Sequence, residues 1–284
     1  MQTIEEYLDF VLANNCTSLH LKACKCAYAR KMGRIFQIDD RVISNQEIID
    51  FNNKYSKDKI EDYIHKETID FSIEYKDARF RINTYHDRYG YCMAFRLLKL
   101  FSTDFDILRI PEKLKELVTK QSGLILITGP TGSGKSTTLA ALVNYINNVK
   151  NAHIISVEDP IEYTFESNES LVTQREIGVD AVSFEQSVID AIREDPDVMV
   201  IGEMRDRESI EATLMAAETG HMVLSTLHTK NATSTVNRII DMFPPDKQGQ
   251  ILDQLSNSLI CILSQQLLPA KDNSRLYLAT GIFN

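Results

Sequence analysis

The stretch Gly129-Pro130-Thr131-Gly132-Ser133-Gly134-Lys135-Ser136 limits the possible folds of this chain more than any other feature. It follows the apolar run Leu124–Thr128 and opens the stretch Lys135–Asn148, in which Leu139, Leu142, Val143 and Ile146 share one helical face. The pattern is G-x-x-x-x-G-K-[ST] in a strand–loop–helix context, where glycines let backbone N–H groups turn inward around phosphate oxygens. The start of the helix adds partial positive charge at the same point. Lys135 is then placed to neutralise β- and γ-phosphates and the Ser136 hydroxyl to ligate Mg²⁺. Gly129 through Thr137 form the expected nucleotide-binding segment.

The sequence around this loop reads as α/β. Apolar strands at Leu124–Thr128, Ile154–Val157, Val198–Ile201 and Val223–Thr226 alternate with helices at Lys135–Asn148, Phe184–Glu194 and Arg207–Thr219. Strands that are apolar throughout and separated by helices imply a parallel sheet covered on both faces. Pro196 stops one helix and Gly220 caps another.

Residues 1–100 differ in pattern. Ile4, Leu8, Val11 and Leu12 have helical spacing, short strands follow at Ser18–Ala23, Ala27–Lys31 and after Gly33, and a second helix lies near Gln46–Ser56. Alternating segments at Ile69–Tyr75, Ala78–Tyr85 and Tyr91–Leu97, split by polar or glycine-containing breaks, predict antiparallel hairpins. This is an α+β unit. The pattern changes at Phe101–Pro111, where Pro111 opens a helix at Glu112–Lys120. Residues 101–111 are expected as a linker and residues 112–284 as the nucleotide-binding domain.

Composition excludes several function classes. A net charge of −9 gives a surface that on average repels nucleic acid and anionic lipid, so no direct nucleic-acid partner is expected. The five cysteines, Cys16, Cys24, Cys26, Cys92 and Cys261, are scattered and fit free thiols in a reducing compartment rather than a zinc site. No apolar run reaches the roughly 18 residues of a membrane span, and the N-terminus lacks signal-peptide character. A cytoplasmic protein is expected, with any membrane attachment made through a partner.

Further candidate groups lie beside the phosphate loop. The strand Val198–Ile201 ends in Gly202-Glu203, and the absence of an aspartate within it favours water activation by Glu203 over metal ligation. Glu158-Asp159-Pro160-Ile161-Glu162 places carboxylates at the C-terminal edge of the sheet, where ligands of open α/β sheets bind. His221 and His228 bracket the strand Val223–Thr226.

Taken in order, GPTGSGKSTT (Gly129–Thr138), VEDPIE (Val157–Glu162), REDPDVMVIGEMRD (Arg193–Asp206), AAETGH (Ala216–His221) and STLHT (Ser225–Thr229) resemble the Walker A, Asp box, Walker B and His box motifs of the secretion ATPase superfamily. The resemblance is greatest to its PilT-type pilus retraction ATPases. The early LHL segment, ARFRIN (Ala78–Asn83) and AFR (Ala94–Arg96) are similar to that family's N-terminal domain.

The resemblance implies a RecA-like P-loop ATPase domain preceded by a smaller PAS-like domain. It implies a hexameric ring that hydrolyses ATP with Mg²⁺ and passes domain rotation to a polytopic inner-membrane platform protein of a type IV pilus. By position, Glu203 is implied as the catalytic carboxylate and Glu162 as the Asp-box glutamate near the attacking water. His228 and His221 are implied to sense the γ-phosphate, and Arg81 and Arg96 to reach the phosphates when the domains close. The family's AIRNLIRE-like helical region has no counterpart before Asn284, so that region is expected to be missing or shortened. Retraction is preferred; pilus assembly, competence, type II/IV secretion and a regulatory subunit of a mixed ring stay open as alternatives.

Overall fold

The computed structural model describes residues 3–57, 68–76, 78–98, 102–269 and 276–283. The chain divides into two compact units, Met1–Leu100 and Phe101–Asn284.

In the first unit, Thr3 caps helix α1 (Ile4–Ala13) by accepting the Glu6 N–H, and Ile4, Tyr7, Leu8 and Val11 form its buried stripe. Ser44 and Glu47 make a reciprocal capping box at the start of α2 (Asn45–Tyr55), which buries Ile48, Phe51 and Asn52. The strands are β1 (Ser18–Lys22), β2 (Cys26–Lys31), β3 (Arg34–Val42), β4 (Ile69–Tyr75), β5 (Ala78–Asp87) and β6 (Gly90–Leu98). Among the described residues they form a six-stranded sheet in the order β3-β2-β1-β6-β5-β4, with every neighbouring pair antiparallel. Alternation divides its faces. Leu19, Leu21, Phe80, Ile82, Met93 and Phe95 join the helical stripes in one core, whereas Ser18, His20, Arg81 and Arg96 alternate out of it. Met32 and Gly33, at φ 49° and 80°, supply the left-handed pair that a two-residue hairpin turn needs between β2 and β3.

The second unit carries helices α3 (Phe105–Leu108), α4 (Lys113–Val118), α5 (Lys135–Val149), α6 (Phe184–Ile192), α7 (Arg207–Glu218), α8 (Ala232–Asp241) and α9 (Pro245–Ser258). Its strands are β7 (Gly123–Thr128), β8 (His153–Glu158), β9 (Leu171–Glu176), β10 (Val198–Ile201), β11 (Met222–Leu227), β12 (Leu259–Pro269) and β13 (Leu276–Phe283). Among the described residues the sheet has seven strands in the order β13-β12-β7-β11-β10-β8-β9. All neighbours run parallel except β13, which is antiparallel to β12. The expected parallel sheet is therefore mixed at one edge.

The two faces of this sheet explain its largely apolar central strands. Leu124 and Leu126 of β7 face a core shared with Ile210 and Leu214 of α7 and Ile251 and Leu255 of α9. Ile125 and Ile127 face the other core, with Leu114 and Leu117 of α4 and Leu139, Leu142 and Ile146 of α5. The stretch 101–111, expected as a linker, contributes Phe105 and Ile110 to that second core. Asp104 caps its short helix by accepting two backbone N–H groups. Two anchored apolar side chains make the stretch physically part of the second unit.

Candidate active site

The loop Gly129–Gly134 leaves the C-terminal end of β7 and enters α5. A Cβ on Gly129 would lie 2.3 Å from the Gln265 carbonyl oxygen and 2.5 Å from Ser133 Oγ, so only glycine lets β12 and the loop approach this closely. Gly134 is the N-cap of α5, at φ 89°, and offers no side-chain hydrogen bond to the helix. The first-turn N–H groups of α5, where Lys135, Ser136 and Thr137 lie, therefore remain available to an anion. This cradle, with a buried lysine at its end, fits a polyphosphate. Gln265 on β12 holds the loop from outside: its Nε2 donates to the Ser133 carbonyl oxygen at 2.8 Å.

Lys135 is 8% exposed. Its Nζ donates to the Gly129 carbonyl at 3.0 Å and to the Pro130 carbonyl at 3.4 Å, and lies 3.3 Å from His228 Nδ1. Burial pushes this ammonium below the ordinary lysine value, while the Glu203 and Glu162 carboxylates pull it back up. His228 Nε2 in turn lies 3.1 Å from Glu203 Oε1. The donors and acceptors match a neutral imidazole that accepts at Nδ1 and donates from Nε2. Arg205 closes the chain, donating from Nε to Glu203 Oε2 at 3.0 Å and from Nη1 to Asp159 Oδ2 at 2.7 Å. Lys135, His228, Glu203, Arg205 and Asp159 thus form one continuous polar line.

The sheet order sets the spacing of this line. Strand β11 lies between β7, which ends in the phosphate loop, and β10, which delivers Glu203. The ends are tied: Thr226 Oγ1 donates to the Gly202 carbonyl at 2.7 Å, and the Gly202 N–H to the Val157 carbonyl at 2.9 Å. Strand β8 brings up Glu158, whose Oε1 accepts from Ser156 Oγ at 2.9 Å and from Gln174 Nε2 at 3.3 Å. Burial pushes the Glu158 carboxyl up to about 7, with the nearby Glu162 charge acting in the same direction and these hydrogen bonds opposing it. Glu162 therefore lies where both Lys135 and Glu158 feel its charge.

The other expected site residues divide. Thr131 Oγ1 is 3.4 Å from His228 Nδ1, and Thr137 Oγ1 is 2.9 Å from the Tyr163 hydroxyl. Pro130, Gly132 and Ser136 occupy the loop and first turn as expected. His221 does not join them. It precedes β11 at the opposite end of the parallel sheet, where its carbonyl accepts from the Gly123 N–H and its Nδ1 lies 2.9 Å from the Ala216 carbonyl. A strand rises roughly 3.3 Å per residue, so β11 separates His221 from His228 by about 20 Å. His221 closes the end of α7 instead. Arg81 and Arg96 belong to the first unit, directly opposite each other on β5 and β6. Arg81 forks onto Asp70 through Nε at 3.1 Å and Nη2 at 2.6 Å; Arg96 is exposed.

Sequence reasoning did not single out Gln265, Arg205, Asp159 or Tyr163 for these roles. Arg205 stood inside a quoted motif, two residues from Glu203. Nothing local marks Gln265, which the fold brings back from far along the chain.

A parallel sheet with a lysine-bearing phosphate loop on one strand and a carboxylate delivered across an intervening strand defines a RecA-like P-loop nucleoside-triphosphatase. More particularly, the chain belongs to the type II/IV secretion system protein family, whose model matches residues 29–277, and it is an ATPase of that family. It is 40% identical to the type IV pilus retraction ATPase PilT of Pseudomonas aeruginosa, over 93% of this chain and 78% of that protein. It is 45% identical to a twitching motility protein of Neisseria gonorrhoeae, over 72% of this chain and 55% of that protein. The crystal structure of the pilus retraction motor PilT with bound ADP superimposes with a TM-score of 0.91 at 39% identity, covering all of this chain and 83% of that one. Among the described residues, no helix is long and apolar enough to cross a membrane.

Proposed function

We propose that this protein is the ATP-hydrolysing motor of a type IV pilus system, acting in retraction. It works as a hexameric ring at the inner face of the cell membrane, attached through a polytopic platform protein. The observation that carries the reading is the line from Lys135 through His228 to Glu203, on a chain 40% identical to a pilus retraction ATPase.

In this reading the Lys135 ammonium, now shared among two loop carbonyls and His228, is claimed by the β- and γ-phosphate oxygens of ATP. His228 then loses one partner while keeping Glu203. The imidazole thus reports the presence of the terminal phosphate to the carboxylate that acts on it. Glu203 orients a water and accepts its proton as the water oxygen bonds to the γ-phosphorus and the bridging oxygen departs with ADP. Glu162 adds negative charge that keeps Lys135 protonated despite its burial, and lies near the same water.

Mg²⁺ supplies neutralisation of the phosphate charge when bound with the nucleotide. The Ser136 hydroxyl would hold it. Among the described residues no group of three or more His, Cys, Asp or Glu could hold a metal. Arg81 and Arg96 are the proposed phosphate contacts from the first unit, since a guanidinium on a separately folded unit can couple phosphate charge to unit position.

Purified protein should hydrolyse ATP only with Mg²⁺, and Glu203→Gln should bind nucleotide while kcat falls roughly 10²- to 10³-fold. Equal turnover by the two proteins would remove Glu203 from its role. In cells lacking this protein, pili should assemble but fail to retract; missing pili would point to assembly, and normal retraction would end the pilus-retraction reading.

A further inference from the structure

We infer that Gln265 is a positioning residue for phosphate binding: its side-chain amide sets the orientation of the Ser133–Gly134 peptide and so aims a loop N–H at the nucleotide. The inference rests on the reading of Gly129–Thr137 as the phosphate cradle. Gln265 is 3% exposed, and its Nε2 donates to the Ser133 carbonyl oxygen at 2.8 Å. In a trans peptide the C=O and the following N–H point in opposite directions. Pinning the Ser133 carbonyl against β12 therefore turns the Gly134 N–H away from β12, toward the inside of the loop. The left-handed backbone of Gly134, at φ 89°, allows this peptide plane, which side-chain-bearing residues rarely adopt.

Two further observations fit a positioning role better than a packing one. Strand β12 touches the loop at both ends, since the backbone carbonyl of Gln265 occupies the space where a Gly129 Cβ would be. In addition, Gln265 Oε1 and Ser133 Oγ are buried without a hydrogen-bond partner among the described residues. A buried acceptor left unsatisfied costs stability. The amide satisfies the Ser133 carbonyl only by leaving its own Oε1 orphaned, and for packing alone an apolar side chain of the same length would merely trade one orphaned acceptor for the other. Reversing the amide would set Oε1 against the Ser133 oxygen, so the donor must face the loop. A glutamate could replace the amide only in its protonated form.

The test uses the full chain, with binding of a fluorescent ADP analogue, ATPase kinetics and thermal unfolding without nucleotide. Gln265→Met keeps length and volume but has no donor. It should weaken nucleotide binding about tenfold or more, raise KM in parallel, and change the unfolding midpoint little, since an orphaned Ser133 carbonyl replaces the orphaned Oε1. Gln265→Glu should bind poorly at pH 8 and recover as the pH is lowered, measured relative to wild type at each pH. Lys135, His228, Glu203, Glu162 and the nucleotide phosphates are common to both proteins, so the ratio isolates the new carboxyl. Gln265→Met binding within about twofold of wild type overturns the inference, as does a pH-independent ratio for Gln265→Glu. Should the methionine variant fail to fold, the glutamate ratio decides alone. If the wild type itself binds no nucleotide, the reading of the cradle falls and this inference with it; wild-type binding with unaffected variants sinks the inference only.

Discussion

At the scale of single residues, the site is an arrangement of charges that burial has moved from their ordinary values in opposite directions. Lys135 is pushed down and Glu158 up, and each is opposed by specific neighbours. Glu158 gives a stability prediction with a definite sign. Its carboxyl moves from 4.5 to about 7 on folding. Below pH 4.5 folded and unfolded chains both hold the proton. Between these values the unfolded chain releases it while the folded chain keeps it, so stability falls as pH rises through this window and stays lower above it. The loss is at most about 3 kcal/mol, since each unit is worth roughly 1.36 kcal/mol and part of the residue reaches solvent. Glu158→Gln should match wild type in urea unfolding near pH 4.5 and be the more stable protein at pH 8. A difference that is the same at both pH values would show that ionisation of Glu158 is not its source.

At the scale of elements, each site residue is held by how its strand ends and how its helix begins. Glu203 and Arg205 lie on the connection between β10, tied to β8 and β11, and α7, which starts in a capping box between Asp206 and Ser209. Asp206→Ala should lower stability by about 1 kcal/mol, read from the urea midpoint at unchanged slope. Asp206→Asn, which retains a capping acceptor, should recover most of it. If both variants unfold like wild type, the cap does not fix this connection. The elements differed in how visibly the sequence announces them. Strands β7, β8, β10 and β11 are buried on both faces and are written mainly in Ile, Leu, Val and Met, interrupted by Ser156 in β8 and by Ser225 and Thr226 in β11. Strand β9, with sequence Leu-Val-Thr-Gln-Arg-Glu, is an edge strand. Its side chains are exposed or half-buried at all but the last residue, so they carry little apolar pattern to read.

At the scale of the whole molecule, two separate sets of cores predict two unfolding events. Calorimetry should resolve two transitions, and ADP should raise only that of the unit containing the phosphate loop, by about 2.7 kcal/mol at one hundred times its Kd. One transition that moves as a whole would mean that the units are energetically fused. The sequence alone determined the phosphate loop, its lysine and serine, the carboxylate ending β10 and the α/β class, because each is written in local spacing: glycines where the backbone must turn, apolar runs where it is buried. It also placed two histidines beside one strand, and there local spacing could say no more. Only the tertiary structure decided that His228 joins Lys135 to Glu203 while His221 lies at the far end of the same strand, since a strand's two ends are neighbours in sequence and remote in space. Only it returned Gln265 to the loop, for a strand finds its partner through long-range hydrogen bonding, and neither end of that pairing carries a local mark of the other.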